Sequence, residues 1–174
     1  MSSYAMVIRI KKGADGRTAL SCDRPNGTTT WQRLQGGQAT FFPRHDLTHY
    51  AVESVLGLGQ GFFGLVADGW DLSDFGTPWP RGTLPSEANL VEMIVGFFDR
   101  ERASGELGTA DELNQHLASY AREHKISSPS PFSEADLDRV RQKRGELFRL
   151  WDELPPGQSL ALPFDVEHNS LQGR

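Results

Sequence analysis

Cysteine is almost missing from this chain: among its 174 residues only Cys22 carries a thiol. A single thiol excludes an internal disulfide framework and any zinc or iron–sulfur site assembled from several cysteines. The expectation that follows is a reducing, cytoplasmic setting. Long apolar runs are missing too. Nowhere does the chain approach the ~20 apolar residues in succession that a membrane helix needs. The stretch from Met1 to Lys12 has no basic segment ahead of an apolar one, so neither a membrane span nor export by a standard signal is expected. Positive charge is not in excess: 23 acidic residues against 18 basic ones give a net charge of −5, spread along the sequence. Neutralising phosphates takes a dense basic face, so nucleic acid is not an expected partner. There is also no Gly-x-Ser-x-Gly elbow, and Cys22 falls in a β-prone run without a nearby base, which argues against covalent catalysis.

Apolar residues make up 37% of the chain and seventeen residues are aromatic, enough for one substantial core. Residues 1–164 are therefore expected to form a single globular domain, with the polar segment 165–174 as a flexible tail. Tyr4–Ile10, Thr18–Cys22 and Thr28–Arg33 are short β-prone runs separated by turn-forming segments, which predicts an antiparallel meander. The stretch His45–Leu56 has helical spacing and stops at Gly57. Residues 57–85 are dense in Gly, Pro and Trp and predict irregular structure with one short helix near Phe62–Ala67. Three clearer helices follow: Glu87 to about Ala103, a helix started by the Thr109/Glu112 capping box and running to about His124, and one from Ser133 to Leu154. Ser159–Leu162 has the pattern of a strand that could return to the N-terminal sheet. The fold class expected is thus α+β, an antiparallel sheet packed against about four helices.

The chemically loaded segment is His45-Asp46-Leu47-Thr48-His49. Residues four apart on a helix lie about 40° apart on one face, with their Cα atoms ~6 Å apart along the axis, so two imidazoles so placed can share one ion. Neutral imidazole suits zinc, iron, copper or nickel. The order His-Asp-x-x-His is similar to the zincin His-Glu-x-x-His with an acid one methylene shorter. Glu53 continues the spacing but sits ~12 Å along the helix from His45, which suits a residue that orients a ligand better than a ligand itself.

The same segment, together with Leu56-Gly57, Gly64 and Trp70, resembles the coenzyme Q biosynthesis family that carries a His-Asp-x-x-His zinc motif. The resemblance spans about residues 45–70. It implies that His45, Asp46 and His49 bind a divalent ion. That family is essentially all-helical and its downstream Glu falls near Gly61 or Leu65 here, so its quinone-related role is not carried over.

A third ligand could be Asp46 itself, or Asp68, Asp71, Asp74, Glu92 or His116 from elsewhere in the chain. Glu92 shares a helical face with Asn89, Gly96 and Asp99, which reads as the plain polar side of an amphipathic helix. His116 has Leu113, Leu117 and Tyr120 around it and reads as a core residue, though it is the best remote imidazole. Each motif residue also has a structural explanation. His45 and Asp46 could serve the first turn of the helix. His49 lies on a stripe with Val52 and Leu56 and could be a hydrogen-bonded core histidine. Gly59-Gln60-Gly61-Phe62-Phe63-Gly64 spells a dinucleotide fingerprint, but it follows a helix where the mechanism requires a strand, so its glycines are assigned to turns and close packing.

The function these residues point to is divalent-metal binding, with zinc first and iron or manganese as alternatives, in a metal-dependent hydrolase. Asp46 or Glu53 would orient a histidine or accept a proton. The rival is a non-enzymatic binding or assembly module with an unidentified small-molecule or protein partner. There the histidine helix is structural and Trp70, Phe75 and Trp79 form the partner surface.

Overall fold

The computed structural model describes residues 5–165, so His168 and nearly all of the expected tail at 165–174 lie outside the described residues. Four strands form one antiparallel sheet in the order β3-β2-β1-β4: β1 (Met6–Lys12), β2 (Thr18–Asp23), β3 (Thr29–Leu34) and β4 (Ser159–Phe164). Alternation decides which face is covered, because successive strand residues point to opposite sides. Met6, Ile8 and Ile10 of β1, Leu20 and Cys22 of β2, and Phe164 of β4 all point inward and are buried. The register aligns them: Ile8 lies opposite Cys22 on one side and Leu162 on the other, and Ile10 opposite Leu20 and Leu160. β4 reaches β1 from the far end of the chain. The turn at Gly157, with φ at 90°, lets Lys12 donate its amide to the Gln158 carbonyl at 2.9 Å.

The described residues form five α-helices: α1 (Gly37–Leu56), α2 (Phe62–Ala67), α3 (Ser86–Ser104), α4 (Ala110–Glu123) and α5 (Glu134–Glu153), which share one buried core with the inward face of the sheet. The architecture is α+β. The capping boxes anticipated for α4 and α5 are both formed, Thr109 with Glu112 and Ser133 with Asp136. In each, the cap oxygen takes an orphan amide while the acid reaches back to the cap's own amide. α1 differs from expectation. It begins at Gly37, with Pro43 inside it, and His45 therefore lies about two turns into the helix. Proline removes one backbone hydrogen bond there. Every residue from Asp46 to Glu53 is buried, which makes α1 the central helix, packed chiefly against α5 and α3. Among the described residues no helix is long and apolar enough to cross a membrane.

Two buried charges tie the layers together. Arg24 donates to the carbonyls of Val66 at 2.7 Å and Trp70 at 2.5 Å and pairs with Asp71 at 3.0 Å, fastening the end of β2 to the loop after α2. Glu101 of α3 accepts from Arg141 at 2.6 Å, from Arg144 at 3.5 Å and from the Gly108 amide at 3.0 Å, fastening α3 to α5. Removing one member of a buried ion pair leaves the others desolvated without compensation. Glu101→Ala is expected to destabilise the protein by about 3 kcal/mol in urea unfolding; a loss near zero would show that water replaces the carboxylate.

Candidate metal centre

The run from Asp46 to Glu53 is buried throughout, so its polar side chains depend on partners within the protein. His49, 1% exposed, is held on both ring nitrogens: Nδ1 lies 3.1 Å from Oε2 of Glu53 and Nε2 lies 3.2 Å from Oε1 of Glu92 on α3. His45, one turn earlier, donates Nδ1 to Asp99 Oδ2 on α3 at 2.6 Å. The two imidazoles meet edge to face, 4.9 Å apart, with His45 stacked on Phe41 and His49 beside Phe62. His45, His49 and Glu92 each present a ligand-type atom within 4.8 Å of the others, a possible metal-site triad. In each histidine Nδ1 is engaged by a carboxylate, so a cation held by the triad would meet Nε2, which in His49 faces Glu92. Metal-binding imidazoles are oriented in this way.

Glu53 is completely buried and does not belong to the triad. Its Oε2 also accepts from the Phe63 amide at 3.3 Å and its Oε1 from the Gly64 amide at 3.1 Å, both in the first turn of α2. Unpaired amides at a helix start favour a carboxylate. The close fit depends on glycine: a Cβ on Gly61 would lie 2.5 Å from the Glu53 carboxyl, and one on Gly64 would lie 2.1 Å from the Gly59 carbonyl. The glycines of the apparent dinucleotide fingerprint therefore serve close packing against Glu53 and the α1–α2 turn.

Asp46 is buried too and lines the cleft beside both histidines. Burial pushes its carboxyl up to about 7, against the lowering pull of His49 and His45. For His49, burial alone lowers the pKa, but hydrogen bonds to Glu53 and Glu92 outweigh it and raise it to about 10. Burial raises the Glu53 carboxyl, with His49 and the two amides opposing. Glu92 is 39% exposed, and although partial burial acts to raise its carboxyl, His49 holds it below the usual range.

The other acids proposed as a third ligand lie elsewhere. Asp71 pairs with Arg24, Asp74 accepts from the Asp71 amide and from Arg81, and Asp68 lies 3.5 Å from the Gln60 amide nitrogen. His116 is exposed on α4 and is not a core residue; the apolar neighbours in its sequence turn inward while its own position turns out. Helix capping does not explain His45 and Asp46, since neither is near the helix start. Sequence reasoning kept Glu92 among the candidate third ligands while favouring a plain polar face for it, and it missed Asp99 as a partner of His45. Their shared face on α3 is polar, as expected, but it looks onto α1 and not onto solvent, and no local signal distinguishes those cases. The cleft above the triad has a volume of about 620 Å³ and opens between β3, α1, α2, α3 and the loop carrying Phe75 and Trp79.

Comparison with protein-family models, with curated proteins and with solved structures gives no match, so the geometry of the site carries the functional reading.

Gly61→Ala is expected to cost about 1–3 kcal/mol in chemical unfolding, because Glu53 is held by three partners and cannot yield to a new methyl. A neutral result would mean that the carboxylate is free to move. A second expectation concerns pH. Folded Asp46 keeps its proton up to about 7, whereas the unfolded chain releases it near 3.8. Folding thus takes up a proton between those values, and metal-free protein loses stability as pH rises through that window. His49 extends the loss, from its ordinary 6.5 towards about 10. Urea midpoints with chelator present should fall between pH 4.5 and 7 in the wild type and fall less steeply over that range in Asp46→Asn, where only the raised Glu53 carboxyl remains to contribute; parallel curves would refute the assignment.

Proposed function

We propose that this chain binds one divalent cation between His45, His49 and Glu92 and catalyses a metal-dependent hydrolysis in the adjoining cleft. The observation that carries the reading is the convergence of the three donors, with each histidine braced on its far nitrogen by its own acid. Two imidazoles and one carboxylate suit zinc and leave a coordination position for water or substrate; iron or manganese fit the same donors. A bound ion of this kind supplies Lewis acidity and lowers the pKa of water at its open position.

The chain's own residues then take separate parts. Asp46, placed on the cleft wall beside both histidines, accepts the proton released from water. Glu53 and Asp99 hold the imidazoles in orientation and touch no substrate. The likeness of His45–His49 to the coenzyme Q family's zinc motif supports the ion, not that family's pathway, and the carboxylate ligand moves from Asp46 to Glu92.

One observation favours the rival structural reading: His49 sandwiched between Glu53 and Glu92 is already satisfied as an imidazolium. In that case the histidine helix is core and the cleft belongs to a non-enzymatic binding or assembly module.

Elemental analysis of tag-free protein after gel filtration separates the two. The expected outcome is about one equivalent of zinc, iron or manganese, lost in His45→Ala/His49→Ala and reduced at least tenfold in affinity in Glu92→Gln, with the circular dichroism spectrum unchanged. Protein that retains no metal, and gains no melting temperature from added zinc or manganese, sinks the metal reading and leaves the structural one.

A further inference from the structure

We infer that the cleft selects an acyl compound with an aromatic or bulky apolar body, its carbonyl or carboxylate oxygen directed at His45, His49 and Glu92. The inference rests on the metal reading above and adds the class of ligand.

The cleft has a mixed lining. The polar group His45, Asp46, His49 and Glu92 is joined by a large apolar surface from Phe42, Phe62, Leu72, Phe75, Trp79 and Leu84, with Gln32, Arg33, Gln38 and Ser73 also contributing. A volume of about 620 Å³ is in the range that takes a whole small molecule and exceeds what water or a bare anion would need. The walls are braced from behind. Phe62 and Phe75 meet edge to face at 4.6 Å, and Trp70 backs Phe75 at 5.2 Å. Trp79 stands at the rim, 43% exposed, with its backbone at φ 58°. Non-glycine residues rarely adopt that region. The turn is closed on both sides, by the Trp79 amide donating to Gly76 at 2.6 Å and the Gly82 amide to Trp79 at 2.8 Å. An indole so placed is an apolar surface held at the mouth of a polar site.

Charge selects the head group. Of the side chains lining the cleft, Asp46 and Glu92 are acidic and only Arg33, at the outer end, is a permanent cation. A divalent ion on the triad would offset the two acids of the lining and itself attract an oxygen donor; without one the same acids, with the aromatic side chains beside them, would favour an organic cation. The two cases need opposite ligands, so binding experiments can tell them apart.

The probes are benzohydroxamate and acetohydroxamate, which share one chelating head and differ only in the body. Their Kd values for zinc-loaded protein are measured by calorimetry, and benzyltrimethylammonium is titrated into zinc-free protein. Benzohydroxamate is expected to bind more tightly by roughly tenfold or more, the gain from burying one ring. Trp79→Ala should cut that ratio at least threefold with zinc content unchanged, and Trp79→Phe should restore most of it. A half-exposed rim residue can be removed without unfolding the core, and unchanged zinc content reports the same thing independently.

A ratio near one in protein that holds zinc overturns the inference and leaves the metal site standing. A benzyltrimethylammonium affinity above that of benzohydroxamate overturns it in favour of a cation-binding cage. Protein that holds no zinc fails at the preceding step, as metal analysis shows, and the inference falls with it.

Discussion

Glu53 is a carboxylate with no contact with water, and much of the surrounding structure is arranged around holding it. Burying an ionised acid costs several kcal/mol unless it is paired and hydrogen-bonded. Four residues from two elements meet that cost: His49 one turn back on α1, the amides of Phe63 and Gly64 opening α2, and Gly61, whose missing side chain gives the carboxyl its space. α1 must therefore end sharply, and it does so at Gly57 in the left-handed conformation, with Leu58 donating to the Glu53 carbonyl at 2.8 Å. The direction α2 takes is set by this contact. Phe63 then reaches Phe164 on β4, and Phe62 becomes a wall of the cleft.

The same demand explains why α3 sits where it does. The buried part of α1 does not satisfy His45 and His49 from its own side chains alone. α3 answers with Glu92 and Asp99, seven residues apart on one face, while its opposite face supplies Leu90, Val91, Ile94 and Phe98 to the core. Farther along, Glu101 anchors α3 to α5 through Arg141 and Arg144, so the acids facing the histidines are placed by an element fixed at its far end. Rigid placement of this kind is what a binding site needs and what a loop could not supply.

Local features were legible in the sequence, and features made by two distant segments were not. The capping boxes at Thr109 and Ser133, the stop at Gly57 and the alternation in β1, β2 and β4 each depend on neighbouring residues, and each element formed close to where those residues place it. The start of α1 was misplaced because Pro43 reads as a boundary, whereas the helix runs across the proline with Ala39 and Pro43 themselves buried. Glu53 as an orienting residue followed from its distance along the helix. Glu92 could only be named as one candidate among several, and Asp99 could not be found that way. A polar helical face is ordinarily solvated, and only the packing of α3 against α1 turns this one inward. His116 went wrong for the converse reason: its apolar neighbours define the buried side of α4, and it stands on the other.

Four acids surround the two imidazoles, and their positions divide the work among them. Both oxygens of Glu53 are occupied, and it sits on the Nδ1 side of His49; Asp99 takes the same side of His45. Neither can leave its place without abandoning a buried partner. Glu92 is on the Nε2 side and is the most exposed of the three acids that contact a histidine, so it can exchange a proton-bearing imidazole for a cation at little structural cost. Asp46 alone among the four makes no hydrogen bond to either ring, and it lies on the cleft wall. If all four served only to neutralise His49 and His45, one acid per ring would suffice, and a second acid on His49 would add a desolvation cost without need. The proposed cation between His45, His49 and Glu92 would account for a second acid on His49 and for an acid beside the rings that bonds to neither.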